Sequence, residues 1–294
     1  MNFMKWRWLY FLISFLVIIP GVISLIMFGL KPAIDFTGGS LIEINFVEIV
    51  EDQELSAVNL EESLQDVYEL SSIQQSGHNK IILKGKHIDN ELKNEVLTLL
   101  TNEYGLIIEE RFETVGPSLG KELLRKTLTG VIIAAVLIMV YVWAQFSELK
   151  YGVSAILAMF HDSLILLGTF SLFGYFYGTE VDMLFVTALL TTLSFSVHDT
   201  IVVYDRIREL KRKYPRYKLV NLVNTAVTET LSRSINNSVT IIIMLSALAM
   251  LGGDTIRWFT IALLIGAVTG TYSSTFTAAP LLLLWDDLAE KFSR

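Results

Sequence analysis

The stretch LYFLISFLVIIPGVISLIMF, residues 9–28, contains no charged residue and is apolar over almost its whole length. As a helix that rises about 1.5 Å per residue, it spans about 30 Å, the thickness of the hydrocarbon core of a bilayer. A secretory signal peptide has a shorter apolar core and a cleavage site with small residues. We therefore expect an uncleaved first membrane span, preceded by Lys5 and Arg7.

Five further apolar stretches of similar length follow, at about 127–146, 152–174, 184–203, 234–252 and 258–284. Of the 294 residues, 52% are hydrophobic and 18% are charged, whereas about 25% are charged in soluble domains. The sequence therefore predicts an α-helical polytopic membrane protein with six transmembrane helices. The chain has no cysteine, which excludes disulfides, thiolate catalysis and cysteine-based metal sites.

Lysine and arginine are concentrated in the short segments on one side of the predicted spans. They precede span one, include Lys150 between spans two and three, and fill the basic segment 205–232 between spans four and five. Short loops rich in these residues stay in the cytoplasm, so we expect cytoplasmic N- and C-termini. This divides the chain into residues 1–30, an extracytoplasmic domain at 31–126, and a five-helix transmembrane bundle at 127–294.

The extracytoplasmic segment alternates strand-like and helix-like stretches. Strand-like stretches, with alternating or continuous apolar residues, lie at 40–46, 80–84 and 106–114. Leucine and valine at helical spacing predict helices at 60–70 and 90–104. This β-α-β-α-β order, inserted between helices one and two, predicts a small α+β domain of the ferredoxin-like type.

Asp199 lies inside span four, and a carboxylate inside a bilayer is costly and by default functional. We expect it to bind a proton; the alternative is a structural hydrogen-bond partner that fixes helix packing. Arg233 begins the antiparallel span five and therefore lies at a similar depth, where contact with Asp199 would favour the charged carboxylate. Arg233 equally fits an anchor that extends to the lipid headgroups. His198, beside Asp199, is a titratable candidate for the same proton relay.

Four further polar side chains within the spans are candidate supporting residues. His161 and Asp162 lie near the middle of span three, and Asn236 and Asn237 lie in span five. A histidine can relay protons, but a His–Asp pair can equally be a packed structural element. His–Asp clusters also bind metals, yet no other ligands occur at suitable spacing, so we predict no metal site.

Nucleotide-driven transport is not supported by the motifs. The nearest P-loop-like stretch, 116–122, has three residues between its glycines instead of four, and a glutamate where serine or threonine binds magnesium. We therefore predict no cofactor and no enzymatic activity, with energy supplied by an ion gradient or a partner. Membrane orientation explains the basic segment without nucleic acid. Gly266 and Gly270 in span six form a Gly-xxx-Gly pattern, which permits close helix contact.

Ordered motifs along nearly the whole chain resemble those of the SecF family. They are DFTGG (35–39), VGPSLG (115–120), HD (161–162), DTIVVYDRIRE (199–209), RSIN (233–236) and the small-residue stretch 266–274. Asp35, Gly38 and Gly39 belong to the first of these motifs. Single short motifs are weak evidence, but several in the family's order are specific.

The resemblance implies half of an RND-superfamily transporter. Such a chain pairs with SecD as a heterodimer of twelve spans, associates with the SecYEG channel, and uses the proton-motive force to assist polypeptide export across the bacterial plasma (inner) membrane. The family's proton-path Asp and Arg fall on Asp199 and Arg233. His198 departs from the pattern, because many family members have asparagine there.

Two other functions remain open from the residues themselves. An RND-like exporter subunit for lipids or small molecules would share the intramembrane charges, but it would need a ligand cleft in the outer domain. A non-transporting assembly scaffold would tolerate exchange of Asp199 and Arg233 for each other. Six spans are also compatible with a twelve-span homodimer.

Overall fold

A computed structural model describes residues 2–48, 55–75, 79–146 and 148–292 of the chain. These residues form two compact units, a helical bundle from residues 1–31 and 129–294 and a smaller domain from Pro32–Leu128. Each unit has its own hydrophobic core. Among the described residues, six helical segments are long and apolar enough to cross a membrane, which confirms the predicted fold class.

The elements follow the chain in a simple order. A 3₁₀ turn (Phe3–Trp6) leads into α1 (Arg7–Met27) and the short α2 (Ile34–Thr37). The small domain continues with β1 (Gly39–Phe46), α3 (Ala57–Leu64), β2 (Leu70–Gln75), β3 (Lys80–Gly85), α4 (Asn90–Tyr104) and β4 (Ile107–Val115). The remaining helices are α5 (Pro117–Gln145), α6 (Leu149–Tyr177), α7 (Met183–Lys213), α8 (Leu219–Leu251), α9 (Asp254–Ser273), a π-helix (Ser274–Ala278) and α10 (Ala279–Phe292).

The basic segment 205–232, predicted as a loop, is mostly helical. Helix α7 continues to Lys213 and α8 begins at Leu219, so the connection is only residues 214–218. The reason is an apolar face that continues along both helices beyond the predicted spans. Its buried side chains join the bundle core at Ile207, Leu210, Leu222, Val223, Ala226 and Val227. Packing of this face extends both helices, as amphipathic helices generally owe their stability to tertiary contacts.

Helices α1 and α6 pack in parallel with a constant register. Three contacts share one sequence offset: Ser14 with His161, Gly21 with Gly168, and Ser24 with Ser171. A Cβ atom added at Gly168 would lie 2.6 Å from the Cα of Gly21. The two backbones therefore approach as closely as small residues permit in membrane helices.

Helices α7 and α9 meet through the glycines that the Gly-xxx-Gly pattern singled out. Gly266 faces Thr192, with no room for a Cβ atom. A Cβ atom added at Gly270 would lie 3.4 Å from the Cα of Ser196. The close approach predicted for this pattern is present. One turn beyond Gly270, the helix widens into the π-helix, whose carbonyl at Ala278 accepts a hydrogen bond from the Tyr204 hydroxyl at 2.8 Å.

The small domain is built on one antiparallel sheet in the order β2-β3-β1-β4, on which α3 and α4 pack. The β-α-β-β-α-β order is the ferredoxin-like arrangement. Its core is formed by alternate residues of the strands and one face of each helix, with Ile42, Ile44, Phe46, Leu60, Leu64, Ile81, Leu83, Val96 and Leu100 fully buried or nearly so. Serine and aspartate caps fix both helix starts, since Ser56 accepts from the amide of Asn59 and Asp89 from that of Leu92.

One strand of this sheet is absent from the sequence prediction. Residues 60–70 were expected to be a single helix, but α3 ends at Leu64 and Leu70 begins strand β2. Strand β2 reads LSSIQQ and lies at the sheet edge, where no residue of it is fully buried. An edge strand needs no continuous apolar alternation, so its sequence carries little strand signal.

The double glycine of the DFTGG motif joins α2 to β1 where there is no space for a side chain. Gly38 has φ +75°, and a Cβ atom there would lie 2.7 Å from the Cα of Pro117. Gly39 has φ +141°, and its Cβ would lie 2.6 Å from the carbonyl oxygen of Gly85. Gly120 in turn faces the amide of Gly38. The DFTGG and VGPSLG motifs are therefore two sides of one packed junction within the small domain.

Candidate functional site in the membrane-spanning bundle

Asp199 is buried between α7 and α8. Its side chain is 6% exposed, and Oδ2 accepts a hydrogen bond from the hydroxyl of Ser234 at 3.0 Å. The antiparallel arrangement of α7 and α8 brings together these residues, 35 positions apart in sequence. Within the described chain, no lysine or arginine contacts Asp199, so its carboxylate is held by a neutral hydroxyl alone.

Arg233 does not make the contact with Asp199 that the sequence suggested. Its neighbour Ser234 points to the carboxylate, while Arg233 is exposed on the outer surface of α8. Successive helix positions point about 100° apart, so residues 233 and 234 cannot both face α7. His198 is likewise exposed, one position before Asp199, and forms no hydrogen bond with any described residue.

The exposed residues around Arg233 and His198 form a polar face on two neighbouring helices. On α8 they are Arg233, Asn236, Asn237 and Thr240, spaced as one helical stripe. On α7 they are Thr187, Thr191, Ser194 and His198, spaced in the same way. Both stripes lie within helices long and apolar enough to span the membrane. The predicted supporting residues Asn236 and Asn237 therefore belong with Arg233 on this face, not with Asp199.

His161 and Asp162 form a second polar centre in the interior of the bundle. The carboxylate of Asp162 is fully buried, with Oδ1 2.9 Å from His161 Nδ1 and Oδ2 accepting from the Ser273 hydroxyl at 2.5 Å. The other ring nitrogen of His161 lies 2.9 Å from the hydroxyl of Ser14. Ser14 continues to the hydroxyl of Thr277 in the π-helix, at 3.4 Å.

Sequence reasoning identified His161 and Asp162 but missed Ser14, Ser273 and Thr277. Serine and threonine are common in membrane helices, where their hydroxyls often bond to the backbone of the preceding turn. The available signal was the density of hydroxyls in 273–277, where four of five residues are serine or threonine. Only the fold shows that this segment faces α1 and α6.

Two buried hydroxyls of α7 complete the polar interior. Ser196 Oγ and Thr200 Oγ1 have no hydrogen-bond partner within the described part of the chain. Ser196 packs against Gly270, which is one turn from Ser273 on α9. Buried hydroxyls normally pair with protein groups or ordered water. The contact between α7 and α9 is therefore polar in the region between Asp199 and Asp162.

Models of two families match this chain. The one described as "Protein export membrane protein SecD/SecF, C-terminal" matches residues 96–288, and the one for the "SecD/SecF GG Motif" matches residues 23–47. A protein translocase subunit SecF from Thermobaculum terrenum is 38% identical over 97% of this chain and 94% of its own length. The chain belongs to the SecF family. This confirms the resemblance drawn from the motifs and supports a role in Sec protein export.

Other SecF-family relatives and a solved structure agree with this assignment. SecF from Vibrio alginolyticus is 33% identical over 96% of this chain and 89% of its own. SecDF from Bacillus subtilis is 34% identical, with 96% of this chain matching 38% of that protein. The crystal structure of Thermus thermophilus SecDF, described as a translocon-associated membrane protein, superposes with a TM-score of 0.86 at 30% identity and covers 98% of this chain.

The chain spans only 39% of that SecDF structure. In both SecDF proteins, therefore, a SecF-like part is joined to a longer remainder in one polypeptide. Membership of the SecF family identifies the fold of this chain. It does not assign roles to Asp199, Arg233 and the His161–Asp162 pair, which we infer from their surroundings.

Proposed function

We propose that this chain pairs with SecD and uses the proton-motive force to assist polypeptide translocation by the SecYEG channel across the bacterial inner membrane. The SecDF relatives support the pairing, because there the SecF-like part and its remainder form one chain. The observation that carries the proposal is the polar face of α7 and α8, with Asp199 buried directly behind it.

The polar face is unsuited to lipid. Arginine and asparagine side chains that face hydrocarbon are costly to desolvate, and for arginine the cost rises to about 2.5–3.5 kcal/mol at the bilayer centre on the insertion scale. Arg233 has no ion pair within the described part of the chain. A helix of the partner half that supplies an acidic or amide group to Arg233 would remove the cost, so this face is the SecD-facing surface in our proposal.

Proton coupling then follows from the position of Asp199 one layer behind this surface. The ionised carboxylate accepts a hydrogen bond from Ser234, which is the neighbour of Arg233 on α8. A proton taken up on a carboxylate oxygen forms an O–H bond and removes the negative charge. The Ser234 hydrogen bond weakens, and α8 is free to change its contact with the partner half. Release of the proton to the other side restores the first state.

Helix α8, which carries the hydrogen-bond partner of Asp199, is also connected to the sixth span. Ser238, one turn after Ser234, shares a hydrogen bond of 2.5 Å with Thr271 on α9. A shift of α8 is therefore transmitted to α9 and the π-helix. In our proposal the helices that carry the small domain move in response and draw the emerging polypeptide outward.

Orientation is proposed from the distribution of basic residues. The α7–α8 connection and the end of α7 carry Arg212, Lys213, Arg216 and Lys218, and this side is placed in the cytoplasm. Both termini then lie in the cytoplasm and the small domain lies outside.

The P-loop-like stretch 116–122 lies at the start of α5, where its Gly120 packs against Gly38. We propose an ion gradient, and not nucleotide hydrolysis, as the energy source.

The test is the variant Asp199→Asn, which keeps the shape and the Ser234 contact but cannot change charge. It should abolish proton-dependent stimulation of export in membrane vesicles while leaving co-purification with SecD intact. Asp287→Asn is the matched control, since Asp287 is an exposed carboxylate that forms an ion pair with Arg7 at the end of the bundle. Normal stimulation by the Asp199 variant would refute the proton-coupling role.

A further inference from the structure

The basic end of the bundle contains a cleft whose lining residues differ from those around Asp199. Its volume is about 550 Å³, within the range of about 300–1,000 Å³ that is typical of small-molecule sites. The segment before α1, the end of α7, the α7–α8 connection and the first turns of α8 form its walls. Its polar lining residues are Asn2, Tyr214, Tyr217, Asn221, Asn224 and Thr225.

Asn224 joins two walls of this cleft. Its side chain is buried, with Oδ1 accepting from the backbone amide of Met4 at 3.0 Å and Nδ2 donating to Asn2 Oδ1 at 3.1 Å. On the opposite wall, the rings of Tyr214 and Tyr217 lie 5.3 Å apart. The cleft is therefore shaped by contacts within the bundle.

The chain around the cleft is strongly positive. Residues 210–228 contain no acidic residue, and their basic residues are Lys211, Arg212, Lys213, Arg216 and Lys218. Arg212, Arg216 and Lys218 are exposed, and none of the three forms an ion pair within the described part of the chain. An anion in the cleft would therefore meet several unpaired positive charges.

The acidic residues that flank this segment are already paired. Glu209 and Glu229, the nearest on either side in the sequence, both form ion pairs with Arg206. Lys211 is paired with Glu148. The described lining of the cleft contains no carboxylate. The positive charge at the cleft is therefore not neutralised by the bundle itself.

The depth of the cleft matches that of the lipid headgroups. Met4, which Asn224 binds, precedes the apolar run at Leu9 by five residues, or about 8 Å along a helix. A bilayer has a hydrocarbon core of about 30 Å within a total of about 40–45 Å, so each headgroup layer is about 5–8 Å thick. Trp6 and Trp8 in the same segment are exposed, as is common for tryptophan at this interface.

We propose that this cleft binds the headgroup of an anionic phospholipid in the adjoining leaflet. The phosphate oxygens accept from the tyrosine hydroxyls and the Asn221 amide, and the unpaired side chains of Arg212, Arg216 and Lys218 neutralise the negative charge. Basic pockets at the cytoplasmic ends of membrane helices suit such headgroups. The leaflet is the cytoplasmic one in the proposed orientation. The lipid site goes beyond the proposed proton coupling and does not depend on it.

The first experiment compares two lipids on the purified chain. Native mass spectrometry would measure the binding of phosphatidylglycerol, which is anionic, and of phosphatidylcholine, which has no net charge. We expect a clear preference for phosphatidylglycerol. Each basic residue near a membrane surface changes the affinity about fivefold, so changing Arg212, Arg216 and Lys218 together to glutamine should weaken phosphatidylglycerol binding about 100-fold. Equal binding of the two lipids, or unchanged binding by the triple variant, would overturn the proposal.

The second experiment separates the cleft from general positive charge. Thr225 lines the cleft, whereas Thr228 lies one turn further along α8. Both are exposed, and each hydroxyl donates to the backbone carbonyl four residues earlier. Thr225→Trp should fill the cleft and reduce phosphatidylglycerol binding to the level of phosphatidylcholine, although every basic residue remains. Thr228→Trp should bind like the native chain. Equal phosphatidylglycerol binding by both variants would indicate adsorption to a charged surface and refute the site.

A third experiment distinguishes the lipid from other sources of phosphate. Inorganic phosphate and a short RNA should each fail to displace bound phosphatidylglycerol. Displacement by either one would assign the cleft to a soluble ligand and overturn the lipid proposal. Phosphatidylglycerol should also raise the melting temperature of the native chain, because a ligand of the folded state stabilises it. The triple variant should melt like the native chain in phosphatidylcholine alone and gain nothing from phosphatidylglycerol; an equal gain in both proteins would contradict the assignment.

Discussion

Replacing Gly168 by alanine tests whether the parallel contact between α1 and α6 holds the His161 network together. The new Cβ would lie 2.6 Å from the Cα of Gly21, whereas carbon atoms in contact are normally about 3.5–4.0 Å apart. The helices must therefore separate by about 1 Å at this level. No side-chain rotation can relieve the clash, because the new Cβ meets the backbone Cα of Gly21.

The separation has a calculable cost. Overpacking of this kind costs about 1–3 kcal/mol. Moving α1 by about 1 Å also stretches the Ser14–His161 and Ser24–Ser171 contacts, now 2.9 and 2.8 Å, beyond hydrogen-bonding range. Hydrogen bonds between membrane helices average about 0.6 kcal/mol each. We expect Gly168→Ala to lower the free energy of unfolding by about 2–4 kcal/mol in total.

Two other glycines provide the controls. A Cβ at Gly21 would lie 3.0 Å from Gly168, so Gly21→Ala should cost less than Gly168→Ala. Gly130 on α5 has no atom within 4 Å of its Cβ position, so Gly130→Ala should be neutral or slightly stabilising. Reversible unfolding in bicelles would measure all three. Equal stability of the Gly168 and Gly130 variants would refute the argument.

Three further predictions concern the small domain and the polar face. Gly38→Ala should lower the melting temperature of the small domain, because φ at Gly38 is +75° and the new Cβ would lie 2.7 Å from the Cα of Pro117. Gly116→Ala is its control, because no atom lies within 4 Å of the Cβ position there. Burial raises the pKa of Tyr68 to about 12. The stability that depends on neutral Tyr68 is therefore complete below pH 10 and is lost as the pH rises from about 10 to 12; Tyr68→Phe should flatten this alkaline loss in denaturant titrations. Arg233→Gln should reduce co-purification with SecD, because the partner half would lose its charged contact, while the isolated chain keeps its stability.

The outcomes that would contradict these predictions are distinct. Tyr68 donates to the carbonyl of Ser40 at 3.2 Å, so Tyr68→Phe also costs about 1 kcal/mol at neutral pH; an unchanged slope of stability between pH 10 and 12 would remove the titration argument. Arg212→Gln, at the basic end of α7, is the control for Arg233→Gln. If both arginine variants weaken SecD binding equally, the effect is one of net charge and not of the polar face.

The membrane spans were predictable because their signal is local. Twenty consecutive apolar residues are sufficient to identify a span, and every predicted span coincides with a helix. The ends of those helices were not predictable in the same way. Ile207 and Leu222 extend α7 and α8 into the basic segment because each packs into a core formed by the other helix, which no local window contains.

The candidate site was predictable in its residues but not in its pairing. The cost of a buried carboxylate identifies Asp199 from sequence, yet the choice between Arg233 and Ser234 as its partner depends on helix rotation. One residue of shift turns a side chain by about 100°. Strand β2 was missed for a related reason. At the edge of the sheet, the sequence LSSIQQ does not need the apolar pattern that identifies a central strand.

The separation of Asp199 from Arg233 has a consequence for how the chain works. If the two were paired inside one bundle, each half of a SecDF unit could hold a complete relay, and a single chain could load protons alone. Here the carboxylate faces inward to a hydroxyl and the guanidinium faces outward from the bundle. In the proposed pairing with SecD, a change of charge on Asp199 reaches Arg233 only through Ser234, the hydrogen-bond partner of the carboxylate and the neighbour of Arg233 on α8. We therefore propose that proton binding to Asp199 changes the contact between α8 and the partner half.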